Sequence, residues 1–218
     1  MRDYLYRLLE IPFVYRLSQI LLGPGAGRML GPILGKIFTS HPRRMLDVGC
    51  GPFLNTPDPE GLIVAVDINP SYINQYTGGF IDQDPRLIFD PPPSRRRLGY
   101  LASADKLPFP DASFDEIRSS GLFHHLTDTE AVGALKEWNR CLQPGGWMMI
   151  LDAVLPVRPW ARPLAWLTRR LDRGTHMRRQ EDLLKIFQQV CPGDWHWERY
   201  TYSYTGLELL YLRYEKKG

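Results

Sequence analysis

Residues 45–69 read MLDVGCGPFLNTPDPEGLIVAVDIN: a buried-strand run, a glycine turn, and a second apolar run that ends in an acid. Nucleotide-binding sheets open in this way. Gly49 and Gly51, with Cys50 between them, let the backbone bend sharply and admit a ligand where a Cβ would collide. About eighteen residues beyond Gly49, Asp67 closes the second run, where a carboxylate can accept hydrogen bonds from both ribose hydroxyls of an adenosine. Together the two features imply an adenosine ligand lying across two strand ends; the glycines alone would equally fit a plain tight turn. A dinucleotide needs more, because its pyrophosphate sits on the N-terminus of a well-formed helix packed closely through a third glycine. Here Phe53 stands near that glycine position, and Pro57 and Pro59 leave a stub of helix, an interior proline costing about 3 kcal/mol. S-adenosylmethionine has an amino-acid carboxylate and ammonium in place of the pyrophosphate. It asks less of that helix, so the stretch favours it.

Outward from this stretch, strands and helices alternate, which argues for a parallel sheet with helices on its faces. Strands are expected at Arg44–Val48, Leu62–Asp67, Leu98–Ser103, Phe114–Ser119 and Trp147–Asp152, and helices at Thr127–Cys141 and Gln180–Val190. Asp128 is read as a cap or first-turn acid. The final WHWERYTYSYTGLELLYLRYEKK reads as an antiparallel hairpin turning near Gly206, its aromatic residues mostly sheet surface and core. Residues 70–97, long, polar and proline-containing, are expected to form a partly irregular surface excursion. With 218 residues the chain has room for a single domain. It divides into a helical N-terminal cap (1–42), a cofactor-binding core (43–152), a cover insertion (153–179), and a last helix with the hairpin (180–218).

A formal charge of +3 without a concentrated basic face does not indicate a nucleic-acid binder. Cys50, Cys141 and Cys191 are odd in number and widely spaced, which suggests neither a disulfide framework nor zinc and fits a reducing cytoplasm. The first thirty residues are broken by Arg7, Glu10, Pro12 and Arg16, so no membrane span or signal-peptide cleavage pattern is expected there. No metal site is expected, because His124, His125, His176 and His196 lack carboxylate or cysteine partners at ligand spacing and His41 stands alone.

Four blocks in order, LDVGCGP, VAVDIN, ASADKLPFPDASFDEI and SSGLFHHL…LKEWNRCLQPGGWMMILD, resemble the class I S-adenosylmethionine-dependent methyltransferases. Within that family the nearest likeness is to the small-molecule branch that includes the ubiquinone/menaquinone C-methyltransferases, over about residues 43–152. The resemblance implies a Rossmann-like, doubly wound, mostly parallel seven-stranded sheet with a C-terminal antiparallel hairpin. It implies that Asp47, Gly49 and Gly51 hold the methionine end of S-adenosylmethionine, that Asp67 binds the ribose, and that Ile68 packs on the adenine. Ser103, Ala104 and Asp105 would flank the adenine, and Ser120 would line the cofactor near its sulfur. Many members have an aspartate where Ser103 stands, so the adenine amino group falls to Ser103, to a water, or to Asp105. The implied activity is methyl transfer to an O-, C- or N-nucleophile of a small molecule, releasing S-adenosylhomocysteine.

His124 and His125 follow the fourth strand, where the transferred methyl would emerge, and are the candidate catalytic residues. A histidine titrating near neutral pH can take a proton from a phenol or an acidic carbon. A structural role is the alternative, since alignment of the reactants alone supplies about 7–11 kcal/mol. Asp90–Ser94, DPPPS, is a decoy: it resembles the Asp-Pro-Pro-aromatic motif of nucleic-acid amino methyltransferases but lacks the aromatic and precedes the adenine block. It reads as a stiff loop, followed at Arg95, Arg96 and Arg97 by a solvated run. In the cover insertion, Trp160, Leu164, Trp166 and Leu167 mixed with Arg158, Arg162, Arg169, Arg170 and Arg173 suit an apolar or aromatic acceptor bearing an acid, or peripheral contact with an anionic membrane. The plainer reading is an amphipathic cover helix with a solvated basic face. The rival functions are a non-catalytic cofactor- or partner-binding relative, a nicotinamide-dependent oxidoreductase and an RNA methyltransferase.

Overall fold

The computed structural model describes residues 43–51, 61–92, 94–170, 175–202 and 205–218. The expected N-terminal cap and the stub of helix around Phe53, Pro57 and Pro59 lie outside the described residues. Seven strands form one sheet: β1 (Arg44–Val48), β2 (Leu62–Asp67), β3 (Arg97–Leu101), β4 (Phe114–Ser120), β5 (Leu142–Val154), β6 (His196–Thr201) and β7 (Glu208–Glu215). Their order is β3-β2-β1-β4-β5-β7-β6, with β1 to β5 parallel and β7 antiparallel to both of its neighbours. The order reverses between β1 and β4, and at such a switch point the loops leaving the two strands diverge and open a crevice.

Burial on both faces explains the unbroken apolar run of β2, in which Leu62 to Val66 are all buried. One face, with Leu46, Val48, Val64, Leu98, Ile117 and Ile150, packs against α2 (Asp128–Cys141) and α4 (Gln180–Val190) through Leu135, Trp138, Leu183 and Phe187. On the other face Met45, Ile63 and Ala65 meet Ile73 and Tyr76 of α1 (Pro70–Thr77). Gly99 of β3 makes that contact tight: a Cβ there would lie 2.5 Å from Thr77 and 2.6 Å from Ile73.

Several expectations need correction. Residues 70–97 are less irregular than expected, because Asn69 caps α1 by accepting from the Ser71 amide, Pro70 starts it, and left-handed Gly78 ends it. Of the two roles read for Asp128 the first-turn acid holds, since Thr127 is the N-cap of α2 and forms a reciprocal capping box with Glu130. Strand β3 stops at Leu101, two residues early, and Ser103 enters a tight turn closed by the Lys106 amide on its carbonyl. Strand β5 begins at Leu142, directly after α2, so the Pro-Gly-Gly turn is absorbed into it with a register shift opposite Phe114 and Glu116. The arginines after the proline loop are not all solvated: Arg95 forks onto buried Asp82 at 2.8 Å and stacks over Phe80, and Arg97 stacks over Tyr76. The hairpin turns at Gly206 as read, at a φ of 69°. Among its described residues the cover insertion holds a 3-10 turn, Pro159–Ala161, and a short helix, α3 (Pro163–Arg170).

Candidate functional site

At the switch point the carboxyl ends of β1 and β2 bring together the residues singled out from the sequence. The β1 turn is pinned by the Gly49 amide donating to the Val66 carbonyl at 2.8 Å, with Gly49 and Gly51 at φ of 67° and 61°. A Cβ at Gly49 would stand 3.0 Å from the Leu122 side chain, which leans across from the end of β4. The Asp67 carboxylate accepts from the Gly51 amide at 3.1 Å and from the Asn69 amide at 2.8 Å. Together with the Ile68 amide, these bonds fix its orientation and leave part of its accepting capacity open. The Cys50 side chain turns the other way, into the cluster of Met45, Ile63, Ile73 and Tyr76, and burial there raises its thiol pKa. At the turn, only its backbone faces the ligand side.

Asp47 and Asp67 make this corner acidic. Burial pushes the Asp47 pKa up to about 6, opposed by a hydrogen bond from the Tyr76 hydroxyl at 3.2 Å and by the charge of Arg118, and reinforced by the charge of Asp67. Burial likewise raises Asp67, opposed by the Asn69, Gly51 and Ile68 amides. Two carboxylates that ionise reluctantly at one crevice attract a cation and repel a phosphate. Tyr76 and Arg118 were not among the residues singled out: Tyr76 sits on the helix missed in the excursion, and Arg118 pairs in the sheet with Asp47 across a register that no short motif reveals.

Beside Asp67 lies an apolar step. Ile68 is 74% exposed, and Leu101, the register partner of Asp67 on β3, is 51% exposed. Flat apolar surface at adjacent strand ends suits the faces of a planar base. Ser103 and Asp105 are exposed next to this step and bonded to each other, the Ser103 hydroxyl donating to Asp105 Oδ1. Ala104 is buried, its carbonyl held by the Trp138 indole N–H at 3.1 Å. Ser120 ends β4 exposed, followed by Gly121 at a φ of 73°.

His124 and His125 occupy a single helical turn after β4, their ring centroids 4.1 Å apart. His124 Nδ1 lies 2.6 Å from Asp152 Oδ1, at the end of β5. Asp152 is 1% exposed and also accepts from the amides of Phe123 and Ala153. Burial alone would raise its pKa; the charge and hydrogen bond of His124 and the two amides overcome this and hold it below the usual carboxylate range. A carboxylate only accepts, so Nδ1 carries a proton in this pair, and Nε2 is the position at which the ring exchanges its second proton. His125 is exposed. The sequence did carry a signal for Asp152: WMMILD ends an apolar strand in an acid just as LIVAVD does. Among the described residues no helix is long and apolar enough to cross a membrane.

Comparison with known proteins agrees with this geometry. A family model described as a methyltransferase domain matches residues 46–150, which takes in most of β1, β2 to β4, α1, α2 and most of β5. The ubiquinone/menaquinone biosynthesis C-methyltransferase of Hahella chejuensis is 31% identical over 108 residues, 46% of this chain and 36% of that protein. This chain covers between 28% and 40% of the length of that relative and two comparable ones. Among solved structures, the YcgJ protein of Bacillus subtilis superposes with a TM-score of 0.62 at 16% identity, covering 88% of this chain and 99% of its own. The phosphoethanolamine N-methyltransferase 2 of Haemonchus contortus, solved with S-adenosylhomocysteine, superposes with a TM-score of 0.66 at 15% identity, covering 100% of this chain and 60% of its own. The matched segment, just under half of the chain, carries the glycine turn, the strand that ends in Asp67 and the histidine turn, and over that segment the chain is similar to the class I S-adenosylmethionine-dependent methyltransferases.

Proposed function

We propose that this chain binds S-adenosylmethionine in the β1–β2–β4 crevice and catalyses methyl transfer to a small-molecule acceptor. The observation that carries the reading is the pair Asp47 and Asp67, two carboxylates with raised pKa at adjoining strand ends. A dinucleotide would bring a pyrophosphate against that negative corner. S-adenosylmethionine brings an ammonium and a sulfonium, which the corner favours.

The chain's own residues divide the work. Asp67, held by the Gly51 and Asn69 amides, presents its remaining lone pairs to a ribose diol. Asp47, backed by Tyr76, faces the amino-acid ammonium over the Gly49–Gly51 turn, while Ile68 and Leu101 take the two sides of the adenine edge. Ser103 and Asp105 supply the polar rim there. When bound, the cofactor supplies an electrophilic methyl on sulfur and leaves as S-adenosylhomocysteine. Asp152 fixes the His124 tautomer, so that Nε2 is the nitrogen that could take a proton from the acceptor, and Ser120 and His125 line the approach from β4.

Isothermal titration with S-adenosylhomocysteine and with NADH tests the assignment. S-adenosylhomocysteine is expected to bind and NADH not to. Asp67→Ala is expected to weaken S-adenosylhomocysteine by about 100-fold, the loss of two hydrogen bonds to a charged group. Tight NADH binding, or an Asp67→Ala variant that binds S-adenosylhomocysteine as well as the parent, would overturn it.

A further inference from the structure

The cover segment is turned inside out. In an amphipathic helix lying on a soluble protein, leucines face the body and arginines face water. In α3, Ala165 and Arg169 are the buried residues, 2% and 8% exposed, while Leu164 and Leu167 are 77% and 48% exposed. Arg169 reaches the Glu208 carbonyl on β7, and Arg162, just before the helix, pairs with the Glu208 carboxylate at 2.9 Å. These arginines serve as anchors that hold the helix on the sheet with its leucines outward. Trp160, in the turn before the helix, is 79% exposed, and Val157 is 66% exposed. Among the described residues, four of the nine large exposed apolar side chains thus fall within eleven consecutive residues. Between Asp152 and Asp172 the charge along the chain is all positive: from Ala153 to Leu171 there are four arginines and no acid, and Arg158 and Arg170 remain exposed beside the apolar residues.

We infer that this face docks on an anionic phospholipid surface. Exposed tryptophan and leucine enter the boundary between headgroup and acyl chain, and flanking arginines meet the lipid phosphates, which is the chemistry of an interfacial helix. The exposed arginines of the segment favour anionic lipid over a second copy, because two copies face to face would oppose Arg158 and Arg170 to their own counterparts. The segment leaves the sheet from the end of β5, beyond Asp152, so docking holds the ligand side of the sheet near the lipid. The docking itself does not depend on the methyltransferase reading.

Flotation of the full chain with vesicles tests it, comparing phosphatidylcholine alone with phosphatidylcholine containing phosphatidylglycerol. Binding is expected to the mixed vesicles and to weaken as salt rises. The double variant Trp160→Ser, Leu164→Ser is expected to bind them at least about tenfold more weakly, from the apolar area it no longer buries. The double variant Arg158→Glu, Arg170→Glu is expected to lose the preference for phosphatidylglycerol. No binding to mixed vesicles, or undiminished binding by both variants, overturns the inference. A dimer in light scattering that Trp160→Ser, Leu164→Ser dissolves also overturns it, by assigning the face to a second copy. S-adenosylhomocysteine titration of each variant reports folding; failure of the parent protein to bind that ligand would sink the cofactor assignment and leave the vesicle result standing.

Discussion

Three aspartates stand at or near strand ends, and their surroundings send them in different directions. Asp47 is raised to about 6 by burial, so between the ordinary carboxylate value and 6 the folded protein holds a proton that the unfolded chain releases. Ionising Asp47 therefore costs stability as pH rises through that window. Asp47→Asn is expected to gain on the order of 1 kcal/mol at pH 8 and to flatten the stability profile between about pH 4 and 7, read by urea unfolding. For the cofactor the sign is opposite, because an ammonium needs the ionised acid: S-adenosylhomocysteine affinity is expected to fall by up to about tenfold per pH unit below 6 in the parent and not in the variant. Asp152 is held low, so its contribution is present above the ordinary carboxylate value and is lost as pH falls through the lower, folded one. Asp152→Asn is expected to cost about 2–4 kcal/mol at pH 7, with the gap to the parent narrowing under strongly acidic conditions. The placement of a candidate site residue was legible where one acid follows one apolar run, as at Asp67. Pairings were hidden where a partner sits far away in the chain: Tyr76 behind Asp47 had no signal, and WMMILD marked Asp152 as a strand-end acid without marking it as the partner of His124.

Element by element, the strands that pair on both sides were the easiest to read. The β1, β2 and α4 boundaries agree with their apolar patterns, since one-residue shifts there would expose core. Errors gathered at α1 and at the start of β5. In α1 the Asn-Pro start and Gly-Gly stop were present, but only Ile73 and Tyr76 are buried, too few to stand out from a polar stretch. At β5 the register with β7 stops at Trp147 opposite Glu215, but the Gly145 amide donates to the Lys216 carbonyl and Leu142 pairs with Phe114 of β4, which carries the strand past the point where Pro144 and Gly145 suggest a break. Strand β4 contains a feature with no sequence signature: Glu116 and Arg118, two apart and thus on one face, are both buried and paired with each other. Removing one member leaves a buried charge. Arg118→Met is expected to destabilise by about 3–5 kcal/mol, more than the replacement of both by apolar residues, measured by urea unfolding of the single and double variants. The same single variant takes a cation from beside Asp47 and is expected to raise the pH below which S-adenosylhomocysteine binding weakens.

For the molecule as a whole, the proposed cofactor strands are central and not peripheral: β1, β2 and β4 adjoin in a sheet that continues without interruption to β7 and β6. The large core on one face runs from Leu98 on β3 to Leu210 and Leu212 on β7, so the ligand end and the hairpin end share one body of packed side chains. Such a unit unfolds together. A ligand that binds only the folded crevice must then stabilise the hairpin as much as the site. At a hundred times its dissociation constant, S-adenosylhomocysteine is expected to add about 2.7 kcal/mol and to raise the thermal midpoint by about 5–10 °C. The same shift should appear whether followed by hydrogen exchange at the β7 amides or at those of β1. A ligand-induced gain confined to β1, β2 and β4 would show that the hairpin melts on its own, and that the anchors Arg162 and Arg169 fix the cover helix to a separable part of the fold.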